Sequence, residues 1–244
     1  MSQAPVTPAV TATVTPAATP ALFSFPPQAK VGRVVAKSKI YERGSVSATL
    51  RDKFVAQVEQ ITWQYKLAPE TINLPARGSV VEIQIFDIAL KTAELDEDVL
   101  RAIDRAIPLP IIFQLHHEQR TRMVATFKRP SEADASKWVI DGYFFGAWLA
   151  ADAERQPLPV ALDLYGLYEQ LLRSVLPQPA RPGENLPEQL QRLTQLRSLH
   201  GEQRKLEARL HKEIQFNRKV ELNAQLRALN TQIDQLSALA SVRT

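Results

Sequence analysis

Histidine and carboxylate supply the first candidate chemistry of this chain, at His116, His117 and Glu118. Such side chains suit a zinc-like ion. Adjacent residues of a strand point to opposite faces, however, so one ion takes both rings only where the strand has already turned. The triplet reads as a turn-borne metal site or as the polar end of a strand entering a hairpin. A magnesium nuclease of the PD-(D/E)xK type sets an acid at the start of one strand and acid-x-lysine on the next. The carboxylates there hold the metal and the lysine aids the attacking water. Glu82-Ile83-Gln84 has that alternation with glutamine in place of lysine, and Phe127-Lys128 lacks the preceding acid. Cleavage dependent on Glu82 or Asp87 is thus a third functional reading, and it is not expected. The 8 glycines are scattered singly and build no P-loop, dinucleotide fingerprint or nucleophile elbow. With 0 cysteines, disulfides and thiolate-held zinc are excluded. No catalytic set, resident metal or cofactor is assigned.

Cations and aromatic rings point to binding instead. Lys30, Arg33, Lys37, Lys39 and Arg43 crowd a short segment against Glu42 alone, which reads as a solvated connector or as a contact for nucleic acid or an acidic partner. A second basic set, Arg204, Lys205, Arg209, Lys212, Arg218 and Lys219, lies in the last third of the chain. Trp63, Tyr65, Trp138, Tyr143, Phe144, Phe145 and Trp148, flanked by Lys128 and Arg129, have the composition of a base-stacking sheet face. Aromatic residues in strands are ordinarily core, and that use is favoured here.

The elements that must hold these groups follow from apolar spacing. Ser45 or Ser47 offers an N-cap to a helix of about twenty residues carrying Leu50, Phe54, Val58, Ile61 and Tyr65. Val80 to Leu90 alternates as a half-buried strand, with Val81, Ile83 and Ile85 on one face and Glu82 and Gln84 on the other. Asp96 to Ile107 places acids in its first turn, arginines later and Val99, Leu100, Ile103 and Ile107 on one stripe, the pattern of a dipole-matched helix. Ile111 to His117, Thr121 to Lys128 and Trp138 to Phe145 form an antiparallel meander. Gln156 to Asp163 reads as a loop or edge strand, and Leu164 to Leu176 as a helix with Leu167, Leu171 and Val175 inward. Together these predict an α+β domain over residues 31–176, a small and mostly antiparallel sheet with packed helices. Residues 1–30 read as a disordered Ala/Thr/Pro leader and 177–185 as a hinge.

Residues 186–241 read as a long C-terminal helical, coiled-coil arm. Leu222, Leu226, Leu229, Ile233 and Leu236 alternate steps of four and three, the seam of a coiled coil and the expected partner-binding face. Upstream, Leu210, Ile214 and Leu222 are joined by steps of four through Arg218, a stutter that relaxes supercoiling. As one helix the segment would extend roughly 80 Å at 1.5 Å per residue, too long to bury itself on a small domain. The seam is therefore expected under another helix, from a second copy, from a partner, or from the arm folded back near Gly201 or Asn217.

Composition permits rather than implies nucleic acid: 30 basic against 26 acidic residues leave a formal net charge of +4. The first twenty-two residues are uncharged and broken by Pro5, Pro8, Pro16 and Pro20, unlike a secretory signal. Nor does any apolar run have the length of a membrane span. A cytoplasmic protein without membrane contact is expected.

Several segments resemble a bacterial family, domain of unknown function 4391. They are Phe23-Ser24-Phe25-Pro26, Lys39-Ile40-Tyr41-Glu42, Ile61 to Leu74 (ITWQYKLAPETINL), Ile103 to Pro108 and Gln215 to Asn223 (QFNRKVELN). The likeness runs from about residue 22 to the C-terminus, and the W-x-Y-K-L-x-P-E-T-I-N block is its most specific part. That block reads as a structural corner, or as a docking surface built from Tyr65, Lys66, Glu70 and Asn73. The resemblance implies no established activity. Family members tend to be encoded beside DNA methyltransferases and helicases in restriction-modification-like or antiphage islands, which implies a partner protein for DNA-processing enzymes. The leading expectation is a non-catalytic interaction or scaffold protein acting with such a helicase or methyltransferase neighbour, or with a second copy, through the C-terminal helix. A nucleic-acid-binding module using the two basic sets is the alternative.

Overall fold

Strand-prone residues between Lys30 and Phe145 assemble the sheet on which everything else is hung. In the computed structural model, which describes residues 22–131, 133–134 and 138–238, the chain begins with β1 (Leu22–Phe23), β2 (Lys30–Val34), α1 (Lys37–Gly44), α2 (Ala48–Gln57) and β3 (Val58–Leu67). It continues with α3 (Pro69–Ile72), β4 (Ile83–Leu90), α4 (Glu97–Ala106), β5 (Ile111–His117), β6 (Arg120–Pro130) and β7 (Trp138–Phe145). The short strands β8 (Leu149–Ala150) and β9 (Arg155–Gln156) precede α5 (Leu164–Arg173), α6 (Leu186–Lys212) and α7 (Phe216–Ser237). The main sheet has the order β2-β3-β4-β5-β6-β7, with β8 also paired to β6. Its neighbours are antiparallel except β4 and β5, which run parallel across the α4 crossover. A separate parallel pair joins β1 to β9. This is the expected α+β arrangement of a mostly antiparallel sheet followed by long C-terminal helices.

Helices cover both faces. On one face Ile40, Phe54, Val99, Leu100 and Ile103 of α1, α2 and α4 pack with Ile61, Ile88, Phe113 and Val124. On the other, Leu167 and Leu171 of α5 and Leu190 and Leu193 of α6 meet Ile83, Ile85 and Ile112, joined by Leu229 and Ile233 of α7. The half-buried reading of the 80–90 strand is therefore corrected. Ile83, Gln84, Ile85 and Phe86 are all buried, because layers on both sides leave β4 no solvent face, while Val81 is exposed just before it.

Three other boundaries move. The helix expected to continue through Tyr65 ends at Gln57, and Val58 to Leu67 becomes a central strand. Its apolar residues fit a helical stripe, but pairing with both β2 and β4 decides the conformation. Residues 1–21 and 239–244 lie outside the described residues, while Leu22, Phe23, Phe25 and Ala29, assigned to the leader, are buried core. The hinge at 177–185 is a pinned corner. Arg192 donates through Nε to Glu184 Oε1 at 2.7 Å, through Nη2 to Glu184 Oε2 at 2.8 Å, and through Nη1 to Gln178 Oε1 at 2.8 Å.

Gly44 sets how closely α1 approaches α4. A Cβ there would lie 2.9 Å from the Ala102 carbonyl oxygen, a backbone atom that cannot swing away. We expect Gly44→Ala to cost about 1–3 kcal/mol in urea denaturation, the usual effect of overpacking. An unchanged midpoint would mean that α1 is not seated on α4 in solution.

Candidate functional site

Strand alternation sorts the residues that could do chemistry. Asp87 of β4 and Gln114 of β5 are in register, and Gln114 Nε2 donates to Asp87 Oδ1 at 2.9 Å. His116, two residues on, places Nδ1 2.9 Å from Thr121 Oγ1 and Nε2 3.5 Å from Asp87 Oδ1. Glu118 has a left-handed φ of 52° in the β5 to β6 turn. The histidine pair is thus the polar end of a strand at its hairpin. Among the described residues no three histidine, cysteine or carboxylate side chains gather as a metal site. Glu82 and Asp87 are not brought together either. Glu82 shares a face with Gln84 by strand alternation, accepts from its amide at 2.9 Å, and pairs with Lys66 at 3.4 Å, whereas Asp87 points to the other face.

The first basic set separates. Lys37 is half-buried and donates to Val58 O at 2.5 Å and Phe54 O at 3.3 Å, capping the end of α2. Burial and the nearby Lys91 hold its pKa below the ordinary lysine value. It is a structural cation rather than a free phosphate contact. Lys30 is exposed on β2. Arg33, Lys39 and Arg43 instead converge on a cleft of about 320 Å³.

Register builds this cleft. Arg33 stands opposite Trp63, and Trp63 opposite Phe86, so the three form a row across β2, β3 and β4. A bulge between Lys30 and Arg33, with Gly32 at φ +62°, resets the β2 register just before this row. Lys39 and Arg43, one turn apart on α1, stand over it, and Ile107 and Leu109 after α4 close the remaining side. Gln84, only 2% exposed, lies along β4 from Phe86. Among the described residues Arg33, Lys39 and Arg43 have no ion-pair partner.

The second basic set lies on the α6–α7 hairpin. Glu213 to Gln215 break the arm near the stutter, and α7 returns along α6. Leu222, Leu229 and Ile233 are buried by this return and Leu226 and Leu236 are half-buried, so the seam is covered from within the chain. Gln203 Nε2 donates to Asn230 Oδ1 at 3.0 Å across the hairpin, and Arg181 Nη2 reaches Leu236 O at 2.7 Å. The cover is thus the arm folded back on itself near Asn217, as two antiparallel helices that share the core of the sheet. At the apex, Ile214 is 91% and Phe216 78% exposed, beside Arg209, Lys212, Arg218 and Lys219. Arg204 and Lys205 are exposed further down α6. Since α6 packs on β6 and β7 while β2 forms the opposite edge, the two basic sets do not merge into one patch.

Parts of two sequence features resolve as structure. In the W-x-Y-K-L-x-P-E-T-I-N block, Thr71 Oγ1 accepts from Ala68 N at 2.8 Å and donates to Lys66 O at 2.7 Å, while Asn73 ends the turn at φ 54°. This is a bonded corner. Of the aromatic set, Tyr143 and Phe144 are core, and Lys128 beside them is buried. Lys128 Nζ donates to Asp104 O at 2.5 Å and to Ile107 O, and lies 3.4 Å from Asp104 Oδ1. Tyr143 OH donates to Asp104 Oδ2 at 2.5 Å. Sequence reasoning missed this node, whose only signal was a lysine inside an apolar strand.

The family described as Domain of unknown function (DUF4391) matches residues 23–233, from β1 through the buried part of α7. No curated protein and no solved structure matches the chain.

Proposed function

We propose that this chain, which belongs to the DUF4391 family, is a non-catalytic interaction protein that docks through the apex of its helical hairpin. The observation that carries the reading is the exposure of Ile214 at 91% and Phe216 at 78%, with Val220 at 49%. Large apolar groups grouped at a protruding turn mark binding surfaces, and a central aromatic with flanking arginines has the composition of an interface hot spot. The buried seam serves as the stiff support of that apex. From the gene setting that the family resemblance implies, the partner is a helicase- or methyltransferase-type subunit of a DNA-modification or antiphage assembly. The surrounding cations favour an acidic rim on it.

Co-purification with the products of neighbouring genes tests the proposal. Replacing Ile214 and Phe216 together by Ser is expected to weaken capture about a hundredfold, within the range for loss of a hot-spot pair. Because both side chains are exposed, the circular dichroism spectrum and melting should not change. Undiminished capture by this variant would exclude the apex as the docking element, and sedimentation of the free chain would reveal self-association through it.

A further inference from the structure

We infer that the cleft between β2, β3, β4 and α1 is a nucleotide site, in which a nucleobase lies against Trp63 and its phosphate is held by Arg33, Lys39 and Arg43. This goes beyond the docking role and does not depend on it, since the cleft and the hairpin belong to opposite edges of the sheet. The volume of about 320 Å³ falls at the lower end of small-ligand pockets. Its walls divide by chemistry as a nucleotide does. Trp63 and Phe86 with Ile107 and Leu109 offer flat apolar surface, and the three cations stand together on the β2 and α1 side. An exposed guanidinium or ammonium without an ion-pair partner is free to receive phosphate oxygens, and arginine does so bidentately.

A further observation points to a ligand with hydrogen-bonding edges rather than a plain anion. Gln84, almost wholly buried, lines the cleft; one amide hydrogen goes to Glu82, leaving a second N–H and the carbonyl oxygen to face a base edge. Glu82 is the one carboxylate in the lining, and its charge is offset by Lys66 at 3.4 Å. The same chemistry belongs to a free nucleoside monophosphate and to the phosphorylated end of a single DNA strand.

Calorimetry and tryptophan fluorescence on the full chain test this with three probes: inorganic phosphate, AMP and a 5′-phosphorylated oligodeoxyadenylate. AMP or the oligonucleotide is expected to bind and to alter tryptophan emission, while phosphate alone binds more weakly. Lys39→Ala with Arg43→Ala, both exposed positions, should weaken binding roughly tenfold to a hundredfold by removing charge-assisted contacts. Trp63→Phe keeps an apolar ring and should abolish the emission change, which then cannot come from Trp138 or Trp148. Binding of AMP identifies a free nucleotide, and binding of the oligonucleotide alone identifies a strand end. Absence of binding by both overturns the site. So does oligonucleotide binding that survives the cleft variants and falls instead with Arg209→Ala and Lys212→Ala at the hairpin.

Discussion

Lys128→Met is expected to lower stability by about 3–5 kcal/mol, the effect of removing one member of a buried ion pair. Lys128 and Asp104 have side-chain exposures of 1% and 0%. The ammonium also donates to the carbonyls of Asp104 and Ile107 at the end of α4, where the helix dipole is negative and the backbone lacks helical partners. Methionine fills similar space but leaves these acceptors and a carboxylate without their donor. Tyr143→Phe removes a single hydroxyl donor and should cost less. The effect depends on pH with a definite sign. Burial is the largest influence on Asp104 and raises its pKa from 3.8 to about 6, although Lys128 and Tyr143 pull it down. The folded protein therefore holds this proton more tightly than the unfolded chain. The resulting stabilisation is complete below about 3.8 and is lost as pH rises through about 6. Without Lys128 the carboxyl pKa climbs further, so the deficit of the variant should be larger at pH 8 than at pH 5. Urea denaturation at both values measures it, and a pH-independent deficit would mean that Asp104 does not change its protonation between pH 5 and pH 8 in the folded protein.

Leu229→Asp combined with Ile233→Asp is expected to release α7 and unfold the layer beneath it. Truncating two buried aliphatic side chains costs about 2–5 kcal/mol each, before the cost of placing carboxylates in an apolar layer. That sum rivals the roughly 5–15 kcal/mol that holds a domain together. Had the arm been a separate rod, the same change would cancel association and spare the sheet. Here Leu229 and Ile233 belong to one cluster with Leu167, Leu171 and Leu193, so the melting temperature should fall and α7 should become protease-sensitive. Retention of the parental melting curve would show that the hairpin is energetically independent of the domain.

Residue patterns alone determined much of this protein. Asp96, the acidic first turn and the stripe of Val99, Leu100 and Ile103 are local properties, and α4 forms where they place it. The strands from Ile111 to Phe145 were likewise legible, since β-branched and aromatic residues bounded by polar turns carry their own signal. Of the two serines that offered a cap, Ser45 and Ser47, it is Ser47 that caps α2, its side chain accepting from Leu50 N at 3.3 Å. Only tertiary structure decided that the helix stops at Gln57, because pairing with β2 and β4 outweighs the helical spacing of Val58, Ile61 and Tyr65. Likewise, an apolar seam states that Leu222, Leu229 and Ile233 need a cover but not whose. The break at Glu213 to Gln215 brought that cover from α6. The cleft was half legible: Arg33, Lys39 and Arg43 stood out as local charge, whereas Trp63 and Gln84 joined them through strand register across distant segments. The pairing of Lys128 with Asp104 was hidden, because a buried ion pair arises from two elements meeting in space, and neither residue carries a mark of its partner in the chain.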